Sequence, residues 1–248
     1  MGSSDAVDAT TQPVTDNQRA SIFPGEVSAT VTAERSGYLQ RIDASLLIDR
    51  AVDQPQLIWS HPRIGDFVLA GTVIATVWPA CAVTDERVAV IRACHVLGPE
   101  RTLAEDVDFG LRQLADIAVK ALSPGINDPT TACDCIDRLG ELIVRVVQFE
   151  PRPALRQQPD CQVSVRVTLR SVEQLLDTAF TQIRIYGAGD VIVMTYVLEM
   201  FGRLASLARP VHRPIIVDHA RLIVSTVQKH GHLAADLMRV EAAAAWSD

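Results

Sequence analysis

The stretch from Arg101 to Arg138, RTLAEDVDFGLRQLADIAVKALSPGINDPTTACDCIDR, constrains the fold more than any other part of the chain. It reads as two amphipathic helices joined by a short loop that cannot itself be helical. Thr102 and Glu105 stand at T-x-x-E spacing, so a capping box is expected to start the first helix there. Leu103, Val107, Leu111, Leu114, Ile117, Ala118 and Ala121 recur at helical spacing and predict one buried face. Ser123-Pro124-Gly125 stops that helix, because proline cannot donate to the ladder and glycine tolerates positive φ. Asn127-Asp128-Pro129 restarts one: Asp128 suits the N-cap and Pro129 the first helical position. The second helix turns Ala132, Ile136, Leu139, Ile143, Val144 and Val147 inward. So short a connection makes the pair an antiparallel hairpin.

The rest of the chain can bury a core large enough to support this hairpin. Of its 248 residues 48% are hydrophobic but only 5% aromatic, so the core is mostly aliphatic. A net charge of −7 with no basic block argues against a nucleic-acid partner. Lys120 and Lys229 are the only lysines, which weakens any scheme that needs a lysine nucleophile or carrier. Cys81, Cys94, Cys133, Cys135 and Cys161 include no C-x-x-C pair and read as reduced thiols rather than disulfides or a zinc site. No signal peptide is visible. The uncharged run from Phe67 to Thr84 is long enough for a membrane span, but Gly71, Pro79 and its strand-like valines argue against one.

Taken in order, residues 1–22 are polar and read as a disordered leader. Residues 23–80 form a small β module, with strands expected near 27–33, 36–43, 56–59 and 65–77 and a short helix from Ala44 to about Val52. Its segment GDFVLAGTVIATV, beginning at Gly65, resembles half of the barrel-sandwich fold of biotinyl and lipoyl domains. There Gly-Asp makes a tight turn and the second glycine a sharp bend. Those carriers present a lysine on a hairpin tip. With no lysine before Lys120, the module is expected to act in assembly or as a spacer, not as a covalent carrier.

Residues 84–248 are expected to form a mainly helical domain, giving an α+β chain overall. A helix from Thr84 to about Leu97 precedes the hairpin, and Val163 to Val167 is a short strand. Ser171 with Gln174 is a second capping box, Asp190 caps the next helix, and two further helices cover about Ile216–Lys229 and Leu233–Ala244.

RTLAEDVDFGLRQLADIAVKALSPGINDPTTA, with the earlier SGYLQRID and GDFVLAGT and the later AFTQIRIYGAGD, resembles a family of predicted bacterial inner-membrane proteins of unknown function. The likeness runs roughly from Ser36 to Leu207, and ALSPGINDP is its most specific block. Members usually carry about four membrane helices before this region, so the resemblance implies a soluble C-terminal part of such a protein. It implies a position on the cytoplasmic face, with the membrane reached through segments this chain does not contain. It brings no activity, substrate or catalytic residue.

Site candidates concentrate on the hairpin. Arg101, Asp106 and Asp108 could grip a ligand or metal near a helix start, although helix capping, macrodipole pairing and an internal Arg–Asp bridge account for them more simply. Ser123, Asn127 and Asp128 offer donor, acceptor and base, although turn chemistry and an N-cap account for each. With Arg184 and Tyr186 they would line a shared polar pocket for a small molecule. The six histidines, including His230-Gly231-His232, read as surface or capping residues, and neither a metal set nor a cofactor motif is recognised. Two functions follow from different classes. One is an assembly or regulatory domain of a channel- or transporter-like membrane complex, homo-oligomeric and not an enzyme. The other is a hydrolase using carboxylates of the Arg101–Asp134 hairpin, with or without a divalent metal.

Overall fold

The computed structural model describes residues 27–49, 56–149, 155–157 and 163–247. The expected leader, Cys161 and much of the loop before Val163 lie outside them. The chain is a mixed α+β protein and divides into two compact units. The first takes the described residues up to Asp106 and those between Arg152 and Leu169; the second takes Val107 to Pro151 and everything from Arg170 onward.

In the first unit, β1 (Ala29–Thr32), β2 (Gly37–Ile42), β3 (Gln56–Ser60), β4 (Phe67–Val68) and β5 (Val73–Trp78) fall where alternation places them, with α1 (Ala44–Asp49) between β2 and β3. Helix α2 (Asp85–Cys94) starts on Thr84, whose hydroxyl accepts from the Arg87 amide, as its sequence predicts. It stops earlier than expected. His95–Gly98 is a strand, β6, paired antiparallel with β2. VAVIRACHVLG holds no glycine or proline until its end, so no local signal marks the switch. The strand is fixed by pairing with residues far away in the chain. After β7 (Leu155–Gln157), strand β8 (Val163–Val167) runs parallel to β3 from Gln56 to Ser60.

The described strands form two open sheets, in the orders β1-β5-β3-β8-β7 and β4-β2-β6. The barrel-sandwich expectation is therefore corrected: β3 takes β8 as its neighbour, and among the described residues no barrel closes. The two glycines of the carrier-like segment do sit in turns, with φ +89° at Gly65 and +84° at Gly71. Ile58, Ile74, Val77, Ile91, Cys94 and Val165 lie in the aliphatic core of this unit.

The second unit is helical. Its elements are α3 (Val107–Ala121), α4 (Pro129–Gln148), α5 (Val172–Gly187), α6 (Val191–Leu207), α7 (Arg213–Gln228) and α8 (Ala234–Ala244). Leu111, Ile136, Leu139, Ile143, Leu176, Ile183 and Val197 build a common core, in which Phe180 meets Phe201 edge-on at 4.7 Å. The capping box of Ser171 and Gln174 is formed, and Asp190 accepts from the Ile192 and Val193 amides. The first hairpin helix begins at Val107, five residues after the expected cap, and Leu103, Val107 and Ile117 are exposed rather than buried. Asp108, Leu111, Ala115 and Ala118 form its inner face instead.

Candidate functional site

Asp106 explains the late start of α3. Its carboxylate is 4% exposed and is held bidentately by Arg101, through Nε at 2.8 Å and Nη2 at 2.9 Å. A carboxylate taken out of water needs such a paired cation and aligned donors. Gly65 closes over the pair: a Cβ built there would clash with Asp106 Oδ2 and come within 2.7 Å of Arg101 Nη2. Asp66, beside it, accepts from the Arg63 amide and completes the Gly-Asp turn. Arg101 and Asp106 thus anchor a turn of the first unit.

Asp108 belongs to the second unit, in the first turn of α3. Thr178 of α5 donates to its Oδ1 at 2.6 Å, and Arg170 Nε lies 3.3 Å from Oδ2. Both partners sit more than sixty positions away in sequence, so nothing near Asp108 could have announced them.

The loop after α3 is bound up in its own turn. Ser123 Oγ donates to the Lys120 carbonyl at 2.7 Å, while the Asn127 amide donates to Ser123 O at 2.9 Å. Positive φ falls on Asn127, at +49°, not on Gly125 as expected; asparagine tolerates the left-handed region. Asp128 caps α4, accepting from the Thr131 amide at 3.0 Å and the Thr131 hydroxyl at 2.5 Å. These bonds, the hydroxyl's first, hold its carboxyl below the usual aspartate range.

Arg184 turns to α7, donating to Thr226 Oγ1 at 2.8 Å, and Tyr186 is 63% exposed. Expected site residues thus gather in four places: Arg101 with Asp106, Asp108 with Thr178 and Arg170, Ser123 with Asn127 and Asp128, and Arg184 with Thr226. Two adjoining surface depressions, of about 410 and 490 Å³, lie elsewhere, around Pro210 and Arg213.

Sequence reasoning missed the buried polar centre of the first unit. His95 Nδ1 donates to the Ile91 carbonyl at 2.7 Å, which leaves Nε2 to accept from the Ser60 hydroxyl at 2.9 Å. Ser60 is 0% and His95 3% exposed. Burial pushes the imidazole pKa down, opposed by the Ile91 bond and aided by His61. The pair has the sense of a nucleophile and its base, but both groups are sealed in the core, where they satisfy one another. His212 and His219 are buried too, which corrects the surface reading of the histidines. Among the described residues, no group of His, Cys, Asp and Glu could hold a metal ion.

These arrangements describe an α+β protein whose suggestive carboxylates are already engaged by its own chain. The chain belongs to the family described as predicted membrane protein (DUF2254), whose model matches residues 4–203. It is similar to the uncharacterized proteins Mb1321c of Mycobacterium bovis and Rv1290c of Mycobacterium tuberculosis, at 28% identity to each over 90% of this chain. It spans only 44% of the length of these relatives. No solved structure matches. Among the described residues, no helix is long and apolar enough to cross a membrane.

Proposed function

We propose that this chain is an extramembrane assembly or regulatory domain of a bacterial membrane protein of channel- or transporter-like type, acting as a homo-oligomer on the cytoplasmic face of the inner membrane. One observation supports the non-enzymatic part: the three hairpin carboxylates that stand out in the sequence each have a partner within the chain. Asp106 is held by Arg101, Asp108 by Thr178 and Arg170, and Asp128 by the first turn of α4. Asp106 and Asp108 are buried against their partners and Asp128 is committed to a helix cap, which supports structural roles for all three. Family membership and the partial coverage of longer relatives support placement beside membrane segments. The carrier-like turns without a lysine support a structural role for the first unit.

The hydrolase alternative gains no observation of its own. A phosphatase and esterase screen with added divalent metals, run on the wild type, Asp108→Asn and Asp128→Asn, separates the readings. No turnover above buffer is expected. Turnover that either substitution abolishes while the unfolding midpoint holds would overturn the domain reading.

A further inference from the structure

Among the described residues the chain crosses between its two units twice, at Asp106–Val107 and at Leu169–Arg170. Each crossing is anchored on both sides. At the first, Asp106 is held in the first unit by the bidentate Arg101 bridge, and Asp108 is held in the second by Thr178. At the second, the Thr168 hydroxyl donates to the Ser60 carbonyl at 2.9 Å and accepts from Trp59 Nε1 at 3.3 Å, which fixes it to β3. Two residues on, Arg170 Nε lies 3.3 Å from Asp108 Oδ2, and Ser171 opens the capping box of α5. Only Val107 and Leu169 stand between the anchors, 54% and 46% exposed. Two residue steps span at most about 7 Å, so neither crossing carries slack.

Within the second unit, Asp108 and Arg170 also tie the two crossings to each other. Asp108 is buried, so this is not an exposed ion pair of small worth; breaking it leaves a charge out of water without its cation. The same carboxylate takes the Thr178 hydroxyl, and the start of α3, the first half of α5 and the turn after β8 are joined at one group. In the first unit the anchors are equally internal. Strand β8 lies between β3 and β7, and Asp106 sits beneath Gly65. Unfolding the sheets would free Asp106 and Thr168 and lengthen both crossings at once. The constraint that brings Asp108 and Arg170 together would go with them. Loss of the helices would release the same two crossings from the other side. A long flexible linker would have no such effect.

We infer that these two slack-free crossings, joined by the Asp108–Arg170 pair, couple the units energetically, so that loosening either one loosens the other. Coupling of this kind carries a local event in the sheets to α3 and α5. It does not depend on whether the chain self-associates. The test is urea unfolding of the whole chain followed by two probes. Tryptophan fluorescence in a Trp246→Phe background reads Trp59 and Trp78 of the first unit, and far-ultraviolet circular dichroism reads mainly α3 to α8 of the second. The two curves of the parent should coincide. Gly-Ser-Gly inserted after both Asp106 and Leu169 adds slack and leaves every anchor in place. Asp108→Asn with Arg170→Met removes the pair without leaving a charge behind. In each of these proteins the two midpoints should part by about 1 M urea or more. Thr178→Val, which weakens the second unit but keeps the pair, should shift both curves together. Separate curves in the parent overturn the coupling, and so do coincident curves in the insertion variant. Curves that part in Thr178→Val as they do in the pair variant overturn it too, because lost helix stability alone would then explain the separation.

Discussion

Gly65→Ala probes the engaged-carboxylate account in one atom. Gly65 has φ +89°, which an L side chain adopts only with strain, at a cost of about 1–2 kcal/mol. The new methyl would also clash with Asp106 Oδ2 and crowd Arg101 Nη2. Breaking a buried pair and leaving its carboxylate unpartnered costs about 3–5 kcal/mol, so partial displacement should bring the total to about 2–5 kcal/mol. Gly125 is the control: it lacks positive φ, and a Cβ there meets nothing within 4 Å. Gly125→Ala should be neutral or stabilising by about 0.4–1 kcal/mol. Urea unfolding followed by tryptophan fluorescence in a Trp246→Phe background reads the first unit, where Trp59 and Trp78 lie. Adding Asp106→Ala supplies the cycle: with the carboxylate gone the clash is relieved, and the two losses should not add. A Gly65→Ala protein within about 0.5 kcal/mol of the parent, the ordinary range for surface changes, would refute the reasoning.

Two other expectations concern buried polar groups. Thr178→Val removes the hydroxyl that donates to buried Asp108 and should destabilise the second unit by about 1–3 kcal/mol, read as a lower urea midpoint with unchanged slope. His95 is held neutral by burial, below the ordinary histidine value of 6.5. Its folded pKa is depressed, so its contribution is complete above about pH 6.5 and is lost as the pH falls toward the folded value. The midpoint of thermal unfolding should therefore drop between neutral and mildly acidic pH. His95→Gln, which keeps a polar partner for Ser60 without a titrating ring, should flatten that drop; an equal drop in both proteins contradicts the assignment.

Local chemistry was legible where it is complete within a few residues. Thr84, Ser171 and Asp190 cap helices as their spacing predicts, and Asp128 with Pro129 restarts α4. Partners supplied from far along the chain were not legible. The Arg101–Asp106 bridge was within reach of local reading, but Asp108 looked like spare charge beside a helix start, and Thr178 lies seventy positions beyond it. The same cause hid β6: His95 to Gly98 reads as more helix until β2 is there to pair with it. Strand β8 was visible as a strand, but its place beside β3 follows from sheet assembly rather than periodicity. Leu103 keeps helical spacing with the core residues, but the helix starts only at Val107, after Asp106 is tied to Arg101.

The central claim, that this is a self-associating domain rather than a free-standing enzyme, is met most directly by sedimentation equilibrium of the chain over a range of concentrations. The account predicts a defined oligomer whose population rises with concentration. A single species of 27.0 kDa at every concentration would contradict it.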